Sequence, residues 1–129
     1  MELNEYQKKA METCMPSCDN ISYMLLNLVG ELGEFSSKLA KAIRKKQISI
    51  GWSEEDVAAD ESNIVPTCAW FEYEELIEGL KAEAGDIFWQ LSGLCSVMEW
   101  KLEDIAQMNL EKLASRKERG KIDGDGDNR

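Results

Sequence analysis

Residues 21–46 read ISYMLLNLVGELGEFSSKLAKAIRKK, and their periodicity decides the fold. Leu25, Leu28, Leu32, Phe35, Leu39 and Ile43 recur at three- and four-residue steps. That spacing lines side chains along one face of an α-helix. Asp19 or Asn20, just upstream, offers an N-cap oxygen. The same period appears on both sides of this stretch. Leu3, Tyr6, Ala10 and Met11 predict a helix over about 3–14, closed by a polar break from Pro16 to Asn20. Residues 47–70 lose the pattern and contain Gly51, Asn63 and Pro66. Within them Ser53-Glu54-Glu55-Asp56 has the form of a capping box and predicts a short helix. A third long helix is expected over about 73–100, carrying Leu76, Leu80, Ile87, Leu91 and Leu94. A fourth should run from near Leu102 to just before Gly120, with Ile105, Ala106, Leu110 and Leu113 inward. Few segments read as strands. The expected fold is all-α, four-helix-bundle-like, with a short helical insert. One domain over 1–129 is expected, with the insert at about 47–70 and a polar tail at about 120–129.

Composition narrows the chemistry. Lys+Arg is 15 against Asp+Glu 25, a formal net charge of -10. A general nucleic-acid binder or an anionic-membrane binder needs a basic surface, so neither partner is expected. A protein that holds divalent cations remains compatible. Histidine is absent altogether. Its absence removes Ser-His-Asp and Cys-His catalysis, His-ligated zinc, and helical di-iron sites built on Glu-x-x-His. Metal chemistry must then use oxygen ligands or thiolates, and oxygen ligands select magnesium, manganese or calcium. Cys14, Cys18, Cys68 and Cys95 lack zinc-ribbon spacing. The chain opens with no basic start or apolar run and has no stretch long enough to cross a bilayer. Reduced thiols and a cytoplasmic location are the expectation.

Two tetrapeptides stand out, Glu31-Leu32-Gly33-Glu34 and Glu83-Ala84-Gly85-Asp86. Acids at i and i+3 share a helix face, so each pair can aim two carboxylates at one spot. Spacing alone proves little, because 25 acids in 129 positions give roughly five such pairs by chance. The surroundings separate these two from solvated pairs such as Glu72/Glu75. Each carries a glycine at the same internal offset, and mid-helix glycine costs about 1 kcal/mol against alanine. The repeated cost predicts that two backbones approach closely there. Both motifs also sit in apolar parts of their helices. Carboxylates held partly buried would repel one another and protonate unless cations neutralised them. A hard-metal site and a set of solvated or ion-paired carboxylates are the two readings open at this point.

Ten of the 15 basic residues fall in two short segments. Lys38, Lys41, Arg44, Lys45 and Lys46 follow the first motif; Lys112, Arg116, Lys117, Arg119 and Lys121 lie in the last helix and just beyond it. Asn109, Lys112 and Arg116 form one stripe at i, i+3 and i+7. Carboxylates with metal at one place and a basic stripe at another suit a polyphosphate ligand. A solvated face opposite acidic neighbours is the plainer alternative.

In their order along the chain, these motifs resemble the MazG-like, all-α nucleoside triphosphate pyrophosphohydrolases. Residues 28–34, LVGELGE, resemble the first motif helix of that family, and residues 83–89, EAGDIFW, the second. Residues 109–116, NLEKLASR, resemble its Asn-x-x-Lys-x-x-x-Arg stretch. Residues 120–129, GKIDGDGDNR, resemble the Gly-Asp-x-Arg terminus of short, often phage-encoded members. The gap from 35 to 82 is longer than in compact members, and the insert at 47–70 accounts for it.

The resemblance implies cleavage of a nucleoside triphosphate between its α- and β-phosphates, giving monophosphate and pyrophosphate. It implies magnesium, with manganese able to substitute, held by Glu31, Glu34, Glu83 and Asp86. Glu34 would orient the attacking water. Lys38, Asn109, Lys112, Arg116 and Arg129 would steady the phosphates. Association as a dimer or tetramer is implied too, and a phage-encoded member would work in the host cytoplasm. A purine deoxynucleotide such as dGTP is the preferred substrate, although no base-reading residue is identifiable. Relatives specific for dUTP or phosphoribosyl-ATP, and a non-catalytic helical interaction module, are the alternatives.

Asp123, Asp125 and Asp127 have the spacing of a calcium loop, but the required glycine position holds Asn128. Trp89 and Trp100 are expected in the core, while Trp70 and Phe71 stay open as a stacking surface.

Overall fold

Asn20 sets where the second helix begins. Its Oδ1 accepts the Tyr23 backbone N–H at 2.9 Å, which is the N-cap bond sought at Asp19 or Asn20. From there α2 runs Ile21–Arg44. The computed structural model describes residues 1–50 and 64–122. Within them α1 spans Leu3–Met11, α3 Trp70–Val97 and α4 Leu102–Glu118. The all-α reading holds, with helix ends displaced by about one turn at most. The short helix sought near residues 53–56 and the tail from 123 lie outside the described residues.

The departure is a small sheet. Strands β1, Ile48–Ile50, and β2, Ile64–Pro66, pair antiparallel with Ile48 opposite Pro66 and Ile50 opposite Ile64. Ile48, Ile50, Ile64 and Val65 are β-branched and favour this conformation. Strands of three residues are too short for a period to show. Beyond Pro66, the Thr67 N–H donates to the Gln47 carbonyl at 2.9 Å and extends the ladder.

Three helices end in the same way. After α2, Gln47 N–H reaches Ala42 O and Lys46 N–H reaches Ile43 O, with Lys46 at φ 57°. After α3, Trp100 N–H reaches Cys95 O and Glu99 N–H reaches Ser96 O, with Glu99 at φ 59°. After α4, Lys121 N–H reaches Arg116 O and Gly120 takes φ 62°. These are Schellman closures, which satisfy the last carbonyls through one left-handed residue. Only Gly120 announces its closure in the sequence.

The chain divides into two compact units, one of Met1–Met24 with Leu91–Arg129 and one of Leu25–Gln90. In the first, α1 supplies the cap that α4 lacks at its own Lys101. Gln7 Oε1 accepts the Leu102 N–H at 2.8 Å, and Asn4 Oδ1 accepts the Glu103 N–H at 3.2 Å. Gln7 Nε2 donates to Ser96 Oγ and to Trp100 O. Fully buried Met24 packs where Gly93 has no side chain, and a Cβ there would collide with the Met24 thioether. In the second unit Ala42, Ile48 and Leu80 are the buried apolar residues among those described.

The periodic stripes are only partly buried. Leu25, Leu32 and Ile43 on α2, Leu91 on α3, and Leu110 and Leu113 on α4 are exposed, against expectation. Trp100 is exposed as well, whereas Trp89 is half-buried. The periodicity is right for a helix, but it does not say which face finds a neighbour, and among the described residues these side chains are not covered. No described helix is long and apolar enough to cross a membrane.

Candidate metal centre

The two acidic tetrapeptides fall on α2 and α3 within the Leu25–Gln90 unit. On α3, the i, i+3 spacing puts Glu83 and Asp86 on one face, and α2 adds Glu31. One carboxylate oxygen from each of the three lies within 4.8 Å of the others. Oxygens sharing one ion sit at most about twice the metal–oxygen distance apart, roughly 4.2 Å for magnesium and about 5 Å for calcium. The trio is thus close to the spacing of ligands on one hard cation, and its all-oxygen donor set fits such an ion.

Burial differs across the trio. Glu83 is 8% exposed, Glu31 is half-buried, and Asp86 is open to solvent. The Glu31 carboxyl is held above the usual range, first by burial and then by the neighbouring charges of Asp86 and Glu34. Asn27 opposes this by donating from Nδ2 to Glu31 Oε1 at 2.9 Å. Lys38 Nζ stands 3.2 Å from Glu83 Oε1. A carboxylate this buried is costly without a partner, and the lysine charge offsets part of that cost.

The other expected site residues are distributed differently. Glu34, one turn beyond Glu31, is exposed and is not part of the trio among the described residues. Asn109 and Lys112 lie exposed on α4 in the other unit, lining a cleft of about 230 Å³ with Ile105 and Met108. Arg116, on the same helix, is 6% exposed. Arg129 lies outside the described residues.

Gly33 and Gly85 do not mark the close backbone approach expected at them. A Cβ built on Gly33 or Gly85 meets nothing within 4 Å, so neither glycine marks a close approach within this chain. Among the described glycines the crowded one is Gly93, outside both motifs, and what it meets is the Met24 side chain and not a second backbone. Asn27 and the Lys38–Glu83 pairing were not found by sequence reasoning. Asn27 had a readable signal, since it sits four residues before Glu31 on the same helix face. The Lys38–Glu83 pair joins two helices, and no local spacing encodes it.

The family model for the MazG nucleotide pyrophosphohydrolase domain matches residues 20–120, and the chain belongs to that family. It is also similar to the Gene 37 protein of Mycobacterium phage L5, at 34% identity over 136 residues with the whole of both chains covered. No solved structure matches the chain. Family membership supports nucleotide pyrophosphohydrolase activity in general and a divalent-metal requirement, and the carboxylate trio is where a metal could be held.

Proposed function

We propose that this protein hydrolyses a nucleoside triphosphate, preferably a purine deoxynucleotide such as dGTP, to the monophosphate and pyrophosphate. The observation that carries the reading is the convergence of Glu31, Glu83 and Asp86 within 4.8 Å in a chain of this family. These three would hold magnesium, or manganese in its place. When bound, the ion neutralises phosphate charge and lowers the pKa of a water. Glu34 lies beside the trio, close enough to influence the Glu31 carboxyl, and would orient the attacking water and take its proton. One water is consumed and the α–β anhydride bond breaks. Asn109, Lys112, Arg116 and Arg129 would steady the phosphates, joined by Lys38 from α2.

The same reading takes 1–129 as one domain working as a dimer or tetramer in the cytoplasm, a host's if the chain is phage-encoded. Exposed Leu25, Leu26, Val29 and Leu32 along α2 support self-association, since isolated chains rarely leave such a row uncovered. Product analysis over a panel of ribo- and deoxynucleoside triphosphates, dUTP and phosphoribosyl-ATP, with magnesium and then EDTA, tests the proposal. Monophosphate plus pyrophosphate, abolished by EDTA, is the expected result, and the best substrate identifies the base. Orthophosphate release would overturn the reaction class. Absence of turnover across the panel would favour a helical interaction module using the exposed α2 row.

A further inference from the structure

Lys38 has two environments within reach. Its Nζ pairs with Glu83 Oε1 at 3.2 Å, yet its side chain remains 41% exposed. The same lysine lines a cleft of about 460 Å³ in the Leu25–Gln90 unit, with Lys41, Lys45 and Gln47 on one side and Glu72 and Glu75 on the other. Lys38, Lys41 and Lys45 stand at i, i+3 and i+7, one stripe of α2 that continues past its end. Gly79 lies one turn before Glu83. A Cβ there would sit 3.7 Å from Lys38 Nζ and 3.8 Å from its Cδ. The lysine stem therefore lies along the α3 backbone at its one bare position beside the cleft.

The electrostatics of the trio explain why a lysine should be there. Three carboxylates within 4.8 Å of one another repel, and the most buried of them is the one that Lys38 touches. A divalent cation would supply the same neutralisation with twice the charge and no need for the ammonium. Two cations cannot both sit against Glu83 without repelling.

We propose that Lys38 is the stand-in counter-ion of the unloaded trio, displaced by the divalent cation and released into the cleft it shares with Lys41 and Lys45. Resting on the proposed function, this makes metal loading the event that frees a cation for a substrate phosphate. It gives an order in which metal precedes nucleotide. Lys38 is a positioning residue in this scheme until the metal arrives.

The test uses the full chain without nucleotide. Manganese is titrated and the free ion counted by its EPR signal, in the parent, in Lys38→Met and in Lys38→Arg. Lys38→Met keeps the apolar stem and removes the competing charge, so it should bind manganese about three- to fivefold more tightly. Lys38→Arg should stay within about twofold of the parent. A purely structural ion pair would not tighten metal binding when removed. A second measurement needs no variant: amine acetylation of the parent, read by mass spectrometry, should rise several-fold at Lys38 on metal saturation while Lys41 and Lys45 hold steady. Equal or weaker binding in Lys38→Met, or unchanged labelling at Lys38, overturns the inference while leaving the hydrolase reading intact. A parent that binds no manganese overturns both.

Discussion

Replacing Asp86 by asparagine removes one charge from the trio without changing the side-chain shape, and it should act oppositely on the metal-free and metal-loaded protein. At 4.8 Å, two unit charges in water-like surroundings interact by about 0.9 kcal/mol. Asp86 is exposed, so the water-like limit applies, and it faces two like charges, Glu31 and Glu83. The sum is close to 2 kcal/mol before screening; the Lys38 charge beside Glu83, salt and side-chain movement reduce it to about 1 kcal/mol. In EDTA, Asp86→Asn should therefore melt about 3–5 °C above the parent. With magnesium the order should reverse, because the variant has lost a ligand and the metal-induced rise in Tm shrinks. Turnover should disappear. Thermal melts of both proteins in EDTA and in magnesium, with pyrophosphate release measured alongside, check all three statements. A lower Tm in EDTA would show that the carboxylate makes a structural contact and would refute the repulsion argument. A magnesium-induced rise as large as the parent's would remove Asp86 from the ligand set.

Three further outcomes are expected. Gln7→Ala removes the acceptor of the Leu102 N–H and two donated bonds, so urea unfolding should show a loss of about 2–3 kcal/mol. Lys46→Gly relieves a left-handed residue at the end of α2 and should stabilise by about 0.5–1 kcal/mol in the same assay. Glu31 has a raised pKa in the folded state, so above the ordinary glutamate value of about 4.3 the unfolded chain gives up this proton first. The contribution of Glu31 to metal-free stability is thus greatest at low pH and falls as pH rises through the raised value. Urea melts across that window should show the extra downward slope in the parent and its absence in Glu31→Gln.

Much of the fold was legible because helical period is a local signal. The run from Leu25 to Ile43 and the Asn20 cap were enough to place α2, and Gly120 was enough to end α4. Lys46 and Glu99 close their helices in the conformation that usually selects glycine, so composition hid both ends. The sheet was missed because three-residue strands carry no period. At the candidate site, i, i+3 spacing and the apolar surroundings singled out Glu31, Glu34, Glu83 and Asp86; Glu31, Glu83 and Asp86 lie within 4.8 Å of one another, and Glu34 is not among them. The matching glycines led to a wrong expectation, since Gly33 and Gly85 face open space in this chain. The i, i+3, i+7 stripe of Asn109, Lys112 and Arg116 was read correctly as to helix, but exposure varies along it, and burial depends on neighbours that spacing does not reveal.

The cap that Asn4 and Gln7 provide for α4 has a consequence for the order of assembly. Those bonds join residues 95 and 99 positions apart, so α1 leaves the ribosome long before its partner exists. At roughly 5–20 residues per second, the first helix waits several seconds for the segment around Leu102. The Leu25–Gln90 unit, whose residues are consecutive, has no such delay and can form first. The carboxylate trio would then be assembled on the nascent chain before α4 and its basic residues have been made. A protein shortened to the family-matched span, 20–120, would lack the capping side chains altogether, and the start of its last helix should fray.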